Sequence, residues 1–190
     1  MRRFVEDLHE AAERHDATQA DRLQRWRVLE PSAGEFLWFL AQSVGARRIV
    51  EIGTSRGVST LWLADAARAN GGAVLSLDTD PQASAAAREA LAGAGLAELV
   101  ELRVGDGGDA LAALGDGEVD LLFLDAERTE YPGWWPHPVR VLRRGGVLVA
   151  DNATSHPEEI APLRALLDAE PELTVALVEV GKGELVALRR

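Results

Sequence analysis

The stretch RIVEIGTSRGVST, Arg48–Thr60, decides the fold of this 190-residue chain. Its first five residues, Arg48–Ile52, have the apolar and β-branched character of a buried strand. From Val58 the pattern changes to the Ala-rich spacing of a helix. Gly53 and Gly57 lie between the two, where glycine permits a tight turn and a close approach of a ligand to the backbone. The stretch therefore predicts a strand, a glycine turn and a helix in direct succession.

The glycine turn differs from the usual phosphate-binding motifs. It does not match the GxGxxG pattern, and no GK[ST] follows, so a pyrophosphate or triphosphate site is not predicted. The free amides at the start of the helix suit an anionic group, and Ser59 or Thr60 can add a hydroxyl donor to a carboxylate there. An ordinary βα loop is the alternative interpretation.

Outward from this turn, short apolar runs alternate with Ala-rich helical stretches, as in a parallel sheet covered by helices on both faces. The last two runs are separated only by GKG (181–183), which predicts an antiparallel hairpin. The fold class is therefore α/β, doubly wound and Rossmann-like, with a mostly parallel seven-stranded sheet. The predicted strands are Arg48–Ile52, Ala73–Leu77, Leu99–Val104, Val119–Leu124, Gly146–Ala150, Leu173–Val180 and Glu184–Leu188, and the predicted helices between them lie near 58–70, 82–94, 107–114, 134–143 and 157–169.

Helices also dominate the segment before the first strand. We divide the chain into an N-terminal helical cap, residues 1–44, and a ligand-binding part of the same domain, residues 45–190. The amphipathic helices of the cap also suit a homodimer contact. The cap is predicted to hold three helices, the first around Phe4, Leu8 and Ala12, the second around Leu23, Trp26 and Val28, and the third from Pro31-Ser32 onward.

Composition narrows the class of partner. The chain has no cysteine, a formal net charge of −11, and a sequence pI near 4.8. A nucleic-acid partner is not expected from this acidic balance, and no apolar run approaches the roughly 20 residues that span a bilayer. The N-terminus, MRRFVEDLHE, turns acidic too soon for a signal peptide. We therefore expect a cytoplasmic protein that acts on a small molecule.

Acidic residues follow the second and third predicted strands. Asp78 ends the second strand roughly 20 residues after the glycine turn, where a carboxylate that binds a ribose belongs in such folds. The alternative is a helix cap, which we favour for Asp80 but not for Asp78. After the third strand, small residues such as Gly107 leave room for an adenine ring at the same edge of the sheet, with Asp106 or a backbone amide near the edge of the ring.

The fourth and fifth strands end in a more specific set. Asp125 follows the fourth strand, and Asp151-Asn152 follows the fifth. In a doubly wound sheet these ends are adjacent, so two carboxylates and an amide oxygen form a site suited to Mg²⁺, Ca²⁺ or Mn²⁺. The alternative is that Asp125 caps a loop and Asp151-Asn152 makes an Asx turn.

In order and spacing these segments resemble the catechol and caffeoyl-CoA type of O-methyltransferase. The resemblance covers about residues 30–190 and rests on EIGTSRGVST, LSLDTDP, VDLLFLDAERTEY, LRRGGVLVADN and the terminal hairpin. It implies a Rossmann-like methyltransferase fold, S-adenosyl-L-methionine as methyl donor, a divalent cation, and transfer to a hydroxyl oxygen of a small catechol-like or phenolic acceptor.

The resemblance also assigns residues. Asp78 is expected at the ribose, Gly107-Gly108 beside the adenine, and Glu51, Gly53, Ser55 and Ser59 around the methionine part. The full cofactor-binding set is Glu51, Gly53, Ser55, Gly57, Ser59, Asp78, Asp106, Gly107 and Asp125, and the metal set is Asp125, Asp151 and Asn152.

The chain departs from the family at one catalytic position. The family usually has a lysine three residues after the first metal aspartate, and this chain has Arg128 there. A guanidinium stays protonated and cannot accept the acceptor's proton, although it can stabilise a phenolate. His156 is the candidate substitute base, against the alternative of a structural loop histidine. The cluster Tyr131, Trp134 and Trp135 is a candidate wall for a flat acceptor, or simply core packing.

Three other functions fit parts of the pattern. They are a metal-independent methyltransferase that acts on another atom, a protein that binds the methyl donor without catalysis, and a nicotinamide oxidoreductase. The glycine spacing argues against the oxidoreductase.

Overall fold

The computed structural model describes residues 2–21, 25, 26 and 28–190. Seven strands form one sheet in the order β3-β2-β1-β4-β5-β7-β6. The first five strands are parallel, and β7 runs antiparallel to both β5 and β6, which confirms the predicted α/β class and the terminal hairpin. The strands are β1 (Arg48–Ile52), β2 (Ala73–Asp78), β3 (Val100–Val104), β4 (Val119–Leu124), β5 (Leu142–Ala150), β6 (Leu173–Val178) and β7 (Glu184–Arg189).

Helices cover both faces of the sheet. No helix of the described ranges is long and apolar enough to cross a membrane. Two 3₁₀ segments, Ala97–Leu99 and Arg128–Trp134, supplement the α-helices. The α-helices are α1 (Arg2–Asp16), α2 (Pro31–Ser43), α3 (Val58–Asn70), α4 (Pro81–Gly93), α5 (Gly107–Ala113), α6 (His137–Arg140) and α7 (Pro157–Ala169).

Each face of the sheet has its own apolar core, because side chains along a strand alternate between the faces. On one face, Ile49 and Phe123 pack with residues of α1, α2, α3 and α4. On the other, Val50 and Leu124 pack with residues of α5, α6 and α7. The N-terminal helices therefore share one core with the sheet. The parity also fixes the direction of polar side chains at the strand ends, since Asp125 points to the same face as Phe123.

The predicted helix near 134–143 is wrong. The chain forms the 3₁₀ segment Arg128–Trp134 and then only the single turn α6. Pro132 and Pro136 cause the interruption, because proline lacks the amide that the interior of an α-helix requires. The following strand, β5, begins at Leu142 rather than Gly146, since Leu142 already pairs with Val119 before an irregularity in the register.

The predicted second N-terminal helix is also wrong where it is described. Leu23 lies outside the described residues, and Trp26 and Val28 are not helical. Trp26 is held instead by α1, because its amide donates to Asp16 Oδ1 at 2.7 Å and its indole stacks on His15 with ring centroids 4.1 Å apart. Contacts with a neighbouring helix replace local helical hydrogen bonds here.

Helices α2 and α3 pack closely at one glycine. A Cβ placed on Gly34 of α2 would lie 2.1 Å from Nε1 of Trp62, a buried residue of α3. The Trp62 ring thus occupies the space of a side chain at position 34, and the close approach depends on glycine there.

We expect Gly34→Ala to lower the free energy of unfolding by about 1–3 kcal/mol, because the methyl group overpacks the contact with Trp62. Alanine alone would raise helix stability by about 1 kcal/mol, so a net loss identifies the clash. Denaturant unfolding measures this change. Gly133→Ala is the control, since a Cβ at Gly133 meets nothing within 4 Å. Equal or greater stability of Gly34→Ala would contradict the packing argument.

Candidate functional site

A cavity opens at the carboxyl ends of β1, β2 and β3, the edge where ligands bind in such sheets. Four of the predicted cofactor residues line it together, while Glu51, Ser55, Gly57, Ser59 and Asp125 are not part of its lining. The lining residues are Ile52, Gly53, Leu77, Asp78, Thr79, Gly105, Asp106, Gly107, Ala126, Glu127, Glu130 and Trp134.

Both glycines of the turn have backbone conformations that favour glycine. Gly53 has φ +108°, and a Cβ there would lie 2.1 Å from the backbone oxygen of Asp125. Gly57 has φ +81° and packs against Ala87 of α4. The turn therefore packs directly against the end of β4, next to the first predicted metal ligand, Asp125.

Asp78 organises the turn from the neighbouring strand. Its Oδ2 accepts a hydrogen bond from the Ser55 amide at 2.8 Å, and its Oδ1 accepts one from the Asp80 amide at 2.9 Å. Each carboxylate oxygen can accept more than one hydrogen bond, so Asp78 can still bind hydroxyls in the cavity that it lines. Asp80 accepts from the Gln82 amide at 2.8 Å, which confirms its predicted role as the cap of α4.

Asp106 and Gly107 lie on the opposite wall of the cavity. Asp106 caps α5 by accepting from the Asp109 amide at 2.9 Å. Gly107 and Gly108 make room for Trp134, because a Cβ on Gly108 would lie 2.5 Å from the Trp134 ring. Trp134 thus belongs to the wall of this cavity, whereas the sequence suggested it as a wall for a flat acceptor.

Tyr131, the neighbour of Trp134 in the predicted aromatic cluster, has a structural position. It is fully buried, and its hydroxyl accepts from the Ala126 amide at 2.8 Å and donates to the Ala126 carbonyl at 3.2 Å. Burial raises the pKa of its hydroxyl above the ordinary value. The core-packing interpretation therefore fits Tyr131 better than contact with an acceptor.

Glu51 lies behind the glycine turn and is fully buried. Its Oε2 accepts hydrogen bonds from the hydroxyls of Thr60 and Ser76, both at 2.5 Å, and the hydroxyl of the predicted cofactor residue Ser59 also contacts the carboxyl. Burial raises the pKa of the Glu51 carboxyl to about 7, although the surrounding hydroxyls favour its ionised form. Glu51 thereby links β1 to β2 and to the start of α3. The hydroxyl of Thr60 is used in its hydrogen bond to Glu51 rather than in a bond to a ligand carboxylate.

The predicted metal set comes together at the ends of β4 and β5. The Asn152 amide nitrogen lies 3.1 Å from Asp125 Oδ1 and 2.9 Å from Asp151 Oδ2. Asn152 has φ +69°, and its backbone amide donates to Asp151 Oδ1 at 2.5 Å, so the Asx interaction weighed from the sequence is also present. Burial, with the nearby charge of Asp151, raises the pKa of Asp125, and burial raises that of Asp151 to about 6.

The donor set of this cluster fits a hard divalent cation. Two carboxylates and one amide oxygen are ligands that Mg²⁺ prefers, with water and acceptor oxygens to complete the coordination. Which amide atom of Asn152 faces the carboxylates is an assignment from the hydrogen bonds, and rotation about the side chain presents its oxygen instead. Among the described residues, no three His, Cys, Asp or Glu side chains form a ready-made metal group, so Asn152 and solvent are needed.

Three charged residues at this cluster were not identified from the sequence. Glu184 is 0% exposed, no donor group in the ranges described reaches its carboxyl oxygens, and its carboxyl adjoins that of Asp151. Lys182, in the β6–β7 turn, places its Nζ 2.7 Å from Glu30 Oε1. Although burial opposes ionisation, the bond to Glu30 and the charges of Asp151 and Asp125 raise the pKa of Lys182. The hairpin turn GKG was the signal for Lys182 and Glu184, and it indicated only a turn, while nothing in the sequence indicated Glu30.

Arg128 is held away from proton transfer. Its Nε and Nη2 lie 2.7 and 2.6 Å from Glu159 Oε2 on α7, and its side chain is only 11% exposed. His156 precedes α7, and its Nδ1 lies 2.9 Å from the Ser155 hydroxyl. The guanidinium therefore contributes a fixed positive charge near Asp125, and His156 stays a candidate base.

The N-terminal segment reaches the glycine turn through Trp26. The Ser55 hydroxyl donates to the Trp26 carbonyl at 3.2 Å, and the Arg56 guanidinium lies 4.3 Å from the centroid of the Trp26 ring. Because Trp26 also contacts α1, it links the N-terminal helix to the loop at the cavity.

The sheet order, the glycine turn and the acids at the strand ends together define a Rossmann-like methyltransferase fold. Residues 4–188 match the family model described as O-methyltransferase. The chain therefore belongs to the O-methyltransferase family, as the resemblance implied.

Relatives agree with this assignment. A catechol O-methyltransferase of Mycobacterium tuberculosis is 40% identical over 136 residues, which cover 72% of this chain and 61% of that protein. The O-methyltransferase from Bacillus cereus, solved in complex with SAH (S-adenosylhomocysteine), has a TM-score of 0.82 at 26% identity and covers 98% of this chain and 90% of its own. The O-methyltransferase TomG from Streptomyces achromogenes, solved with SAM, has a TM-score of 0.78 at 30% identity, covering 96% and 88%.

We expect Glu51→Gln to flatten the dependence of stability on pH. The folded carboxyl keeps its proton up to about pH 7, whereas the unfolded one ionises near 4.5. The folded state binds more protons between these values, so stability falls as pH rises through this window, by at most about 3 kcal/mol. Glutamine removes this loss while its oxygen still accepts from the hydroxyls.

Denaturant unfolding at about pH 5 and about pH 8 measures the difference between the two proteins. Glu98→Gln, an exposed carboxyl in the Ala97–Leu99 segment, is the control with the same change of charge. The same loss of stability in wild type and Glu51→Gln would show that another group is responsible.

Proposed function

We propose that the chain transfers a methyl group from S-adenosyl-L-methionine to a hydroxyl oxygen of a small catechol-like or phenolic acceptor, with the help of a divalent cation. One observation carries this proposal. Gly53, in the glycine turn beside the cavity, packs directly against the backbone of Asp125. The proposed site for the methyl donor therefore adjoins the predicted cation ligands. Donor and acceptor are thus placed side by side.

The cavity suits the methyl donor. Asp78 presents a carboxylate fixed by two backbone amides, which matches the hydroxyl pair of a ribose. Trp134 and the small residues of the Asp106–Gly107 corner offer a flat wall for an adenine ring. The solved relatives with SAH and SAM bound support this use of the cavity.

The proposed acceptor site adjoins the cluster of Asp125, Asp151 and Asn152. Asp125, Asp151 and Asn152 would hold the cation, which would supply a positive charge that lowers the pKa of the acceptor's attacking hydroxyl. These residues fix the line of attack on the methyl carbon, and well-aligned reactants gain on the order of 7–11 kcal/mol over free ones. The catechol O-methyltransferase among the relatives supports this class of acceptor.

Arg128 does not accept the acceptor's proton in this proposal. Its charge, held in place by Glu159, stabilises the oxygen anion that forms when the hydroxyl ionises. His156 takes the proton, directly or through water. Removal of the proton therefore does not require the lysine that the family usually has.

We expect Asp78→Asn to weaken S-adenosylhomocysteine binding at least tenfold. The amide keeps the shape of the carboxylate but loses its charge and one acceptor for the ribose hydroxyls. Calorimetric titration measures the dissociation constant.

Asp80→Asn is the matched control two residues away. Asparagine is also a good helix cap, so α4 stays capped and the affinity for S-adenosylhomocysteine stays at the wild-type value. Equal affinities for all three proteins would remove Asp78 from the binding site.

We expect chelator to abolish methylation of a catechol and Mg²⁺ to restore it. Asp125→Asn and Asp151→Asn, each of which removes one anionic ligand, should lower the Mg²⁺-dependent rate at least a hundredfold, while Asp168→Asn, on the exposed surface of α7, should not change it. Liquid chromatography of the methylated product measures the rate. Full activity in chelator would instead establish a metal-independent transfer.

A further inference from the structure

Glu184 stands directly across the sheet from one of the predicted cation ligands. In the antiparallel register of β5 and β7, Ala150 pairs with Leu185, so the next residues, Asp151 and Glu184, face each other. Such directly opposed residues have Cβ atoms roughly 5 Å apart and point to the same face of the sheet. On the other side of Asp151, Leu124 of β4 pairs with Ala150, which places Asp125 next in the row.

Glu184 has no donor group of the kind that normally satisfies a buried carboxyl. The side chain is fully buried, no donor of the described residues reaches either oxygen, and its side-chain partner is the carboxyl of Asp151. Buried polar groups are nearly always paired, because an unpaired one loses its hydration without compensation. A buried carboxyl whose partner is a second carboxyl, with the carboxyl of Asp125 next in the row, points to a positive group at this place.

The positive charges of the chain do not balance the row of carboxyls formed by Asp125, Asp151 and Glu184. Lys182 brings one ammonium, but its nearest carboxyl is Glu30, at 2.7 Å. The guanidinium of Arg128 is engaged with Glu159. Acidic side chains therefore outnumber the cations that reach the row, and a divalent ion would restore the balance.

We propose that Glu184 is a positioning residue of the cation site, which faces Asp151 across the sheet and strengthens the binding of a divalent cation by Asp125, Asp151 and Asn152. This inference rests on the cation-assisted transfer proposed above. Beside a bound cation Glu184 would stand as a carboxylate next to Asp151, so that this ligand is held and polarised from the opposite strand. It extends the cation site from the ends of two parallel strands to a third, antiparallel one.

Mn²⁺ is the probe, because electron paramagnetic resonance measures its binding without any methyl transfer. We expect Glu184→Gln in the full chain to bind Mn²⁺ at least tenfold more weakly than wild type. Glu184→Asp, which keeps the charge on a shorter side chain, should recover part of the loss, and it also serves if the glutamine variant does not fold. Glu179→Gln is the matched control, since Glu179 is an exposed acid of the same hairpin, and its affinity for Mn²⁺ should be unchanged.

The thermal midpoint without metal is the second measurement. We expect Glu184→Gln to raise it, because an acid buried against two other acids is removed, and to reduce the further rise that Mn²⁺ gives to wild type. A folded Glu184→Gln with the wild-type Mn²⁺ affinity overturns the inference, whatever its midpoint, and leaves the proposed function intact. If wild type binds S-adenosylhomocysteine but no Mn²⁺, both this inference and the proposed role of a cation are wrong. If wild type binds neither, the proposed methyl transfer itself is wrong.

Discussion

Negative charge gathered at the carboxyl edge of the sheet is the constraint on which the site depends. Glu51, Asp125, Asp151 and Glu184 stand at the ends of four strands and face the side that packs against α2 and α3. Each carboxyl loses hydration on burial and repels its neighbours, which raises the pKa of every one of them. Hydroxyls around Glu51, amides around Asp151 and the ammonium of Lys182 offset only part of this. The remaining imbalance favours positively charged partners, such as the sulfonium of the methyl donor and the divalent cation proposed above.

The sequence predicted those parts of the site that depend on strand ends. Parallel strands bring their carboxyl ends to one edge, so the neighbourhood of an acid at the end of a strand, such as Asp78 or Asp125, follows from the order of the strands alone. The glycine turn was predictable for a similar reason, since Gly53 and Gly57 both need backbone conformations that other residues avoid.

The parts that were missed depend on register and on proline. Glu184 faces Asp151 only because the hairpin pairs in one particular register, and a slip of one residue would turn Glu184 to the other face. Nothing local in the GKG turn fixes that register. The prediction of a helix near 134–143 was wrong because Pro132 and Pro136 remove amide donors. The prediction followed the aromatic pattern around Trp134 and gave these prolines too little weight. Local patterns predict elements well, but contacts between distant segments require the assembled sheet.

The strand order has a consequence for how the molecule is made. β7 is synthesised after β6, yet it lies between β6 and β5, and β6 pairs with the rest of the sheet only through it. During synthesis on the ribosome, β6 therefore emerges before its only partner strand, β7, and can join the sheet only after β7 has been made. A chain released before that point lacks both the bridging strand and one acid of the edge, so premature termination and loss of the site coincide.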